Sequence, residues 1–319
     1  MTESIKEPFR LDFRSQGGEV MANLPGPFDS RIVVQEYDTW LRVRSDEKLA
    51  VLALTRHNGD LVDRAVGLFS LKLDEQQLDK LEAAVLSTPW TKLPTPTRGD
   101  VTANNLALDY RRGGKTIRRG FNARNREFIA AIDLLMDRLN RLMSAMLTRP
   151  LGAVSVAVEA TPDPADKHRR LLEYVLHNPG TSPIVLTDPR ALPPNGRDLR
   201  GQLLVATAPR ETPGMMTVPP RWSPVPLPPL PEGEPTIRTL AAGDKLSIAV
   251  PWQPSGPGSY LVQALWSDYG GPITPASDPL PIMPLRGDDE EPPVGSEVVV
   301  RGATFSSYKP YVLAPEKPR

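Results

Sequence analysis

Residues 128–159, FIAAIDLLMDRLNRLMSAMLTRPLGAVSVAVE, carry two different hydrophobic periods on either side of one proline. Before it, Phe128, Ile132, Leu135, Leu139, Leu142 and Met146 recur at spacings of three and four residues. That spacing predicts an amphipathic helix over 124–147, whose apolar stripe packs on a sheet. Each large side chain so buried contributes about 1.5–3 kcal/mol. After the proline, Val154-Ser155-Val156-Ala157-Val158-Glu159 alternates apolar and polar residues, the period of a half-buried strand. The change of period at Arg149-Pro150-Leu151-Gly152 predicts an α+β domain over 1–149, an antiparallel sheet with two helices, followed by an all-β sandwich over 150–319.

Working back from that helix, LALDYRRGGKTIRRGF (106–121) reads as strand, Gly113-Gly114 turn and strand. A first helix is predicted after Asp74, which with Gln77 forms a capping box; Leu78, Leu81 and Val85 line one face, and Thr88-Pro89 ends it. Before it, 31–37, 40–44, 49–55 and 61–68 read as strands, and Asn58-Gly59 within RHNGD supplies a hairpin turn.

Working forward, helix periodicity disappears. Further strands are expected at 171–178, 183–186, 199–207, 237–240, 245–250, 260–266 and 297–301, separated by turn residues such as Asn178-Pro179-Gly180. Residues 209–235 form a proline-rich insertion containing SPVPLPPLP, read as a stiff loop across one end of the sandwich, with aromatic-groove docking as the alternative. The tail 304–319 carries Phe305, Tyr308 and Tyr311 without strand or helix periodicity, as an extended or exchanged arm would.

Composition excludes several chemistries. The absence of cysteine removes disulfides, zinc–thiolate sites, iron–sulfur clusters and thiol catalysis. Basic and acidic residues balance at 38 each, which argues against whole-chain attraction to nucleic acid or anionic membrane. No apolar h-region opens the chain and no run of spanning length occurs, so a cytoplasmic protein with no membrane span is expected. Gly114-Lys115-Thr116 fails the phosphate-loop pattern, because Asp109 stands where its first glycine is needed. His57, His168 and His177 have no metal-ligand spacing, and no G-x-S-x-G elbow nominates a serine. The acidic run Asp288-Asp289-Glu290-Glu291 lacks a calcium loop's alternation, and the two Arg-Gly-Asp triplets at 98 and 286 stand alone. No catalytic, metal or cofactor residue is expected.

The candidate partner-binding residues are Arg111, Arg112, Lys115, Arg118 and Arg119 on the hairpin, with Trp222, Tyr308 and Tyr311 from the second half. Arg124 and Arg126 extend the basic run. Strand alternation sends Arg111 and Arg112 to opposite faces, and Arg118 and Arg119 likewise, so the cluster cannot converge as a whole; it reads first as a solvated hairpin, then as a dock for an acidic protein surface, and last as a nucleic-acid site.

Two stretches of the second half, LLEYVLHNPGTSPIVLTD (171–188) and LAAGDKLSIAVPWQPSGPGSYLVQALWSDY (240–269), resemble bacterial immunoglobulin-like sandwich domains, including the intracellular proteinase-inhibitor type. In the second stretch a glycine turn, an apolar strand, a Pro-Gly turn and a Y-x-V-x-A strand follow in that family's order. The proline-rich insertion departs from a minimal version of that fold. In the first half, the helix with its following Pro89-Trp90 and the hairpin before the last helix are similar to emfourin-like α+β metalloprotease inhibitors. Gly17-Gly18 is not followed by the phenylalanine and glycine expected there, and no inhibitory residue carries over. These resemblances imply inhibition. The expectation is a non-enzymatic protein-binding protein (an inhibitor, immunity protein or adaptor), with nucleic acid an improbable partner. The alternatives are a structural subunit of a larger bacterial assembly and, behind it, a cryptic hydrolase.

Overall fold

The structure is a computed structural model. It describes residues 7–16, 20–22, 32–34, 38–54, 65–93, 105–122, 126–166, 169–192, 202–207, 222–256, 258–268, 280–281, 298–300, 302–305 and 309–313. Their elements run in chain order β1 (Phe9–Gln16), β2 (Val20–Ala22), β3 (Ile32–Val34), β4 (Asp38–Arg44), β5 (Leu49–Leu54), β6 (Val66–Lys72), α1 (Glu75–Ser87), β7 (Asn105–Arg112), β8 (Lys115–Asn122) and α2 (Arg126–Met146). The second half holds β9 (Pro150–Pro162), β10 (Arg170–His177), β11 (Ile184–Thr187), β12 (Gln202–Thr207), β13 (Trp222–Val225), β14 (Ile237–Leu240) and β15 (Lys245–Trp252). It ends with β16 (Gly258–Asp268), β17 (Leu280–Pro281), β18 (Val298–Val299), β19 (Gly302–Phe305) and β20 (Lys309–Leu313).

The described protein is mostly β, with two α-helices. A nine-stranded antiparallel sheet in the order β15-β10-β9-β6-β5-β4-β1-β7-β8 is its backbone. Beside it stand a four-stranded sheet, β14-β11-β18-β17, and a five-stranded one, β13-β12-β16-β19 with β20 also on β16. No helix is long and apolar enough to cross a membrane among the described residues.

Local chemistry sets the helices where the periodicity places them. Asp74 caps α1: its side chain accepts from the Gln77 backbone N–H at 2.7 Å, while the Gln77 side chain accepts from the Asp74 N–H at 2.9 Å. Two orphan donors of the first turn are thereby satisfied. Trp90, just beyond the helix, donates its indole N–H to the Val85 carbonyl at 2.7 Å and closes the C-terminal end. Ile132, Leu135, Leu139 and Met146 of α2 are buried, as their spacing requires.

Long strand β9 joins the halves. Its first residues pair with β6 (Val66↔Val154, Gly67↔Ala153, Leu68↔Gly152, Phe69↔Pro150), with an irregular register between Leu68 and Phe69. Its later residues pair with β10, from Ser155↔His177 to Pro162↔Arg170. The sheet therefore runs through residue 150. Two cores lie on opposite sides of it. Helices α1 and α2 cover one face of β1, β4, β5 and β6, around Phe13, Leu41, Leu52, Phe69 and Leu135. The smaller sheets cover the other face from β5 onward, where Ala53, Val66 and Leu68 join Val156, Tyr174, Val262 and Trp266.

That splice depends on two glycines. Gly67 has φ +143°, and a Cβ there would stand 2.3 Å from the Gly152 carbonyl oxygen. A Cβ on Gly152 would stand 2.7 Å from Cβ and Cγ2 of Val298. Only glycine lets the strands approach this closely.

Several expectations meet a different structure. The stretch FRLDFRSQ forms β1, an interior strand third from the β8 edge of the sheet, where no strand was expected. Its alternation of Phe9, Leu11 and Phe13 with Arg10, Asp12 and Arg14 is the signal that identifies it. The proline-rich insertion contains an edge strand, β13, paired with β12 through Leu203↔Val225 to Ala206↔Trp222. The tail is partly strand as well: β19 and β20 both pair with β16 in its own chain. These strands are only four and five residues long, too short to show a period. The Asn58-Gly59 turn, His57 and His168, the acidic run and both Arg-Gly-Asp triplets lie outside the described residues.

Candidate binding face

Strand alternation fixes what the face of β1, β4, β7 and β8 opposite the helices carries. With Phe9, Leu11 and Phe13 of β1 committed to the helix core, Arg10, Asp12 and Arg14 take the opposite side. Across β4 the same face holds Trp40, Arg42 and Arg44, and across β7 and β8 it holds Ala107, Asp109, Arg111, Thr116, Arg118 and Gly120. The register aligns these in rows. Arg42, Asp12, Asp109 and Arg118 make one row, flanked by Arg44, Arg10, Arg111 and Thr116 on one side and by Trp40, Arg14, Ala107 and Gly120 on the other.

Two aspartates organise the arginines. Asp12 accepts from Arg10 Nε at 2.9 Å, Arg42 Nε at 2.7 Å and the Trp40 indole N–H at 3.1 Å. Asp109 accepts from Arg111 through Nε and Nη2, both at 3.1 Å, and from Arg118 Nε at 3.0 Å. Asp12 and Asp109 are directly opposite across β1 and β7, a like-charge pairing that costs energy alone and is offset here by four guanidiniums. Partial burial works to raise the Asp109 carboxyl, but the hydrogen bonds and charges of Arg111 and Arg118 outweigh it and hold it below the usual carboxylate range. The Trp40 ring also carries cations, with Arg42 Cζ at 5.1 Å and Arg14 Cζ at 5.9 Å from its centre. Arg44 pairs with Glu47 at 2.6 Å in the following turn.

Exposure rises across the face. The Arg42 side chain is 12% exposed, Arg111 48% and Arg118 69%. Surface ion pairs of this kind stabilise a fold by only about 0–1 kcal/mol each. Their larger consequence is geometric: a guanidinium held through one edge keeps further N–H donors on fixed bearings.

The hairpin residues separate as alternation requires. Arg111 and Arg118 belong to the arginine face. Arg112 turns to the helix side and binds Glu82 through Nη1 at 2.9 and 3.0 Å, while the Tyr110 hydroxyl donates to the same carboxylate at 2.6 Å. Burial foremost, then the Glu82 hydrogen bond and charge, push the Tyr110 hydroxyl far above its ordinary range. Arg112 thus anchors α1 to β7. Lys115 and Arg119 share its parity and stand exposed on the outermost strand. Trp222 lies in β13 opposite Ala206, and Tyr311 in β20 opposite Tyr260; both belong to the five-stranded sheet and not to the hairpin's. Tyr308 lies outside the described residues. Arg10, Arg14, Arg42 and Trp40 were absent from the sequence-based set, although β1 and the alternation of Trp40-Leu41-Arg42-Val43-Arg44 carry them in plain sight.

Elsewhere the polar clusters are built into the fold. Asn178 is fully buried: its amide N–H₂ faces the carbonyls of Ser182, Leu240 and Ala241, and its oxygen accepts from the Gly180 N–H. Buried Asp188 accepts from Arg190 and Arg238, both of which also reach Glu234. Asp268 accepts from the Thr187 hydroxyl at 2.6 Å, and its other oxygen has no partner among the described residues. Among the described residues no group of three or more His, Asp or Glu side chains converges to hold a metal.

No protein-family model matches the chain, and no curated protein matches it in sequence. Among solved structures, the MHC-like protein MILL2 aligns at 13% identity over 80% of this chain and 95% of its own, with a TM-score of 0.15. A superposition at that score carries no argument about fold or function.

Proposed function

We propose that this chain is a non-enzymatic protein-binding protein, of the inhibitor, immunity-protein or adaptor kind, that holds an acidic protein surface on the arginine face of β4, β1, β7 and β8. The observation that carries this reading is the pair of aspartate-pinned arginine clusters at Asp12 and Asp109 on a sheet face that neither α1, α2 nor the smaller sheets cover. Donors fixed in advance lose less entropy when they meet carboxylates, and unlike charges raise the rate of encounter. The second half, proposed as an immunoglobulin-like sandwich, shares that sheet through β9. One feature favours a protein partner over nucleic acid. The Trp40 ring already carries the guanidiniums of Arg14 and Arg42, which leaves it poorly placed to stack on a base.

The test uses the full chain at about 0.1 M salt, with poly-L-glutamate and an oligo-dT of matched charge as probes. The expected result is preferential binding of poly-L-glutamate, weakened about tenfold by the double substitution Arg111→Ser and Arg118→Ser. Tighter binding of oligo-dT, or a double variant that binds as the parent does, refutes the reading.

A further inference from the structure

The strands that end a sheet are not alike in this protein. Edge strands invite pairing by other chains, and folds blunt them with brevity, proline or bulges. Here β15 carries Pro251, β13 carries Pro224 within four residues, β17 is two residues ending in Pro281, and β20 carries Pro310. Edge strands β14 and β19 are four residues each. Strand β8 has none of these devices. It is eight residues long, contains no proline, and keeps continuous register with β7 from Asn105↔Asn122 to Arg112↔Lys115. Among the described residues it also ends the largest sheet, at the edge opposite β15.

An antiparallel edge strand bonds its neighbour through alternate residues, so half of its N–H and C=O groups point outward. What protects β8 is charge: Lys115, Arg118 and Arg119 are exposed along it, with Arg111 beside them on β7. Charge of one sign repels a second copy of the same edge but attracts a strand of opposite sign. It selects a partner where proline would exclude all partners.

We infer that β8 is a docking edge for an extended acidic segment of the partner protein, which adds to the sheet as a tenth strand and sets its carboxylates against Arg118 and Arg111 on the arginine face. This inference rests on the acidic-partner reading above and adds the mode of binding to it. Main-chain hydrogen bonds supply affinity without demanding a sequence, and the arginines supply selectivity for acidic residues.

The test uses the intact protein and a fluorescent eight-residue peptide of alternating Glu and Val. Two further peptides carry N-methyl groups on one alternate set of backbone nitrogens or on the other. Strand addition requires that one methylated peptide lose at least tenfold in affinity while the other binds as the parent does. It also requires that amide exchange slow at alternate residues of β8. If all three peptides bind equally, acidic segments adhere to the arginine face without joining the edge; strand addition is then refuted and the face reading stands. If none binds while a Lys–Val peptide or oligo-dT does, both readings fall. Gly120→Pro, which places a proline on the edge itself, should abolish binding of the unmethylated peptide in protein whose circular dichroism matches the parent.

Discussion

Replacing Gly67 by alanine tests the splice between the two halves. The new methyl would meet the Gly152 carbonyl oxygen at 2.3 Å and Ala153 Cα at 2.6 Å, backbone atoms that cannot turn aside. The φ of +143° adds backbone strain of about 1–3 kcal/mol for a residue with a Cβ. Relieving the collision means parting β6 from β9, which sacrifices hydrogen bonds worth about 1 kcal/mol each. A loss of about 3–5 kcal/mol follows, about a fifth or more of a domain's usual stability. Gly152→Ala meets a softer obstacle, the Val298 side chain, and should cost about 1–3 kcal/mol as overpacking does. Val298→Ala alone removes two buried methyl groups, about 2 kcal/mol with its cavity. The double variant Gly152→Ala with Val298→Ala should fall short of the sum by about 1 kcal/mol, because the Cγ2 collision disappears while the Cβ approach remains. No side-chain truncation should rescue Gly67→Ala. Urea unfolding monitored by far-ultraviolet circular dichroism measures all four proteins, and the parent should unfold in one transition because both cores share β9. A Gly67→Ala protein within about 1 kcal/mol of the parent, or strictly additive costs at Gly152 and Val298, refutes the reasoning.

Two further outcomes follow from buried carboxylates. Glu82→Ala strands the Tyr110 hydroxyl in the core and should cost at least about 1–3 kcal/mol, whereas adding Tyr110→Phe should recover part of that loss; equal and additive costs in a double-mutant cycle would deny the coupling. At Asp188, burial acts to raise the carboxyl, but hydrogen bonds from the Arg190 side chain and backbone and from Arg238 outweigh it and hold the group below its ordinary range. A carboxylate depressed on folding contributes its stability in full above its unfolded value of about 4 and loses it as pH falls through the folded value. Asp188→Asn should therefore flatten the loss of stability between about pH 5 and pH 2, and a denaturant midpoint that falls in parallel with the parent over that range would contradict the assignment.

Much of the architecture was legible because it is local. Helix α1 declared its first residue through Asp74 and Gln77, helix α2 through a stripe of six apolar residues, and the hairpin through Gly113-Gly114. The candidate face was half legible. Alternation separated Arg111 from Arg112 and Arg118 from Arg119, yet the arginines of β1 and β4 lie about 70–100 residues earlier in the chain and become their neighbours only through strand pairing.

By itself, then, the sequence determined the period of each segment, the absence of thiol chemistry and the division of each strand into two faces, because these depend on a residue and its near neighbours. The tertiary structure alone decided which faces found cover. Helices α1 and α2 closed one side of β1, β4, β5 and β6, the smaller sheets closed the other side from β5 onward, and the arginine face of β4, β1, β7 and β8 received neither. It decided as well that β9 would serve two neighbours, since a strand's alternation states which side is apolar but not which strand lies beside it.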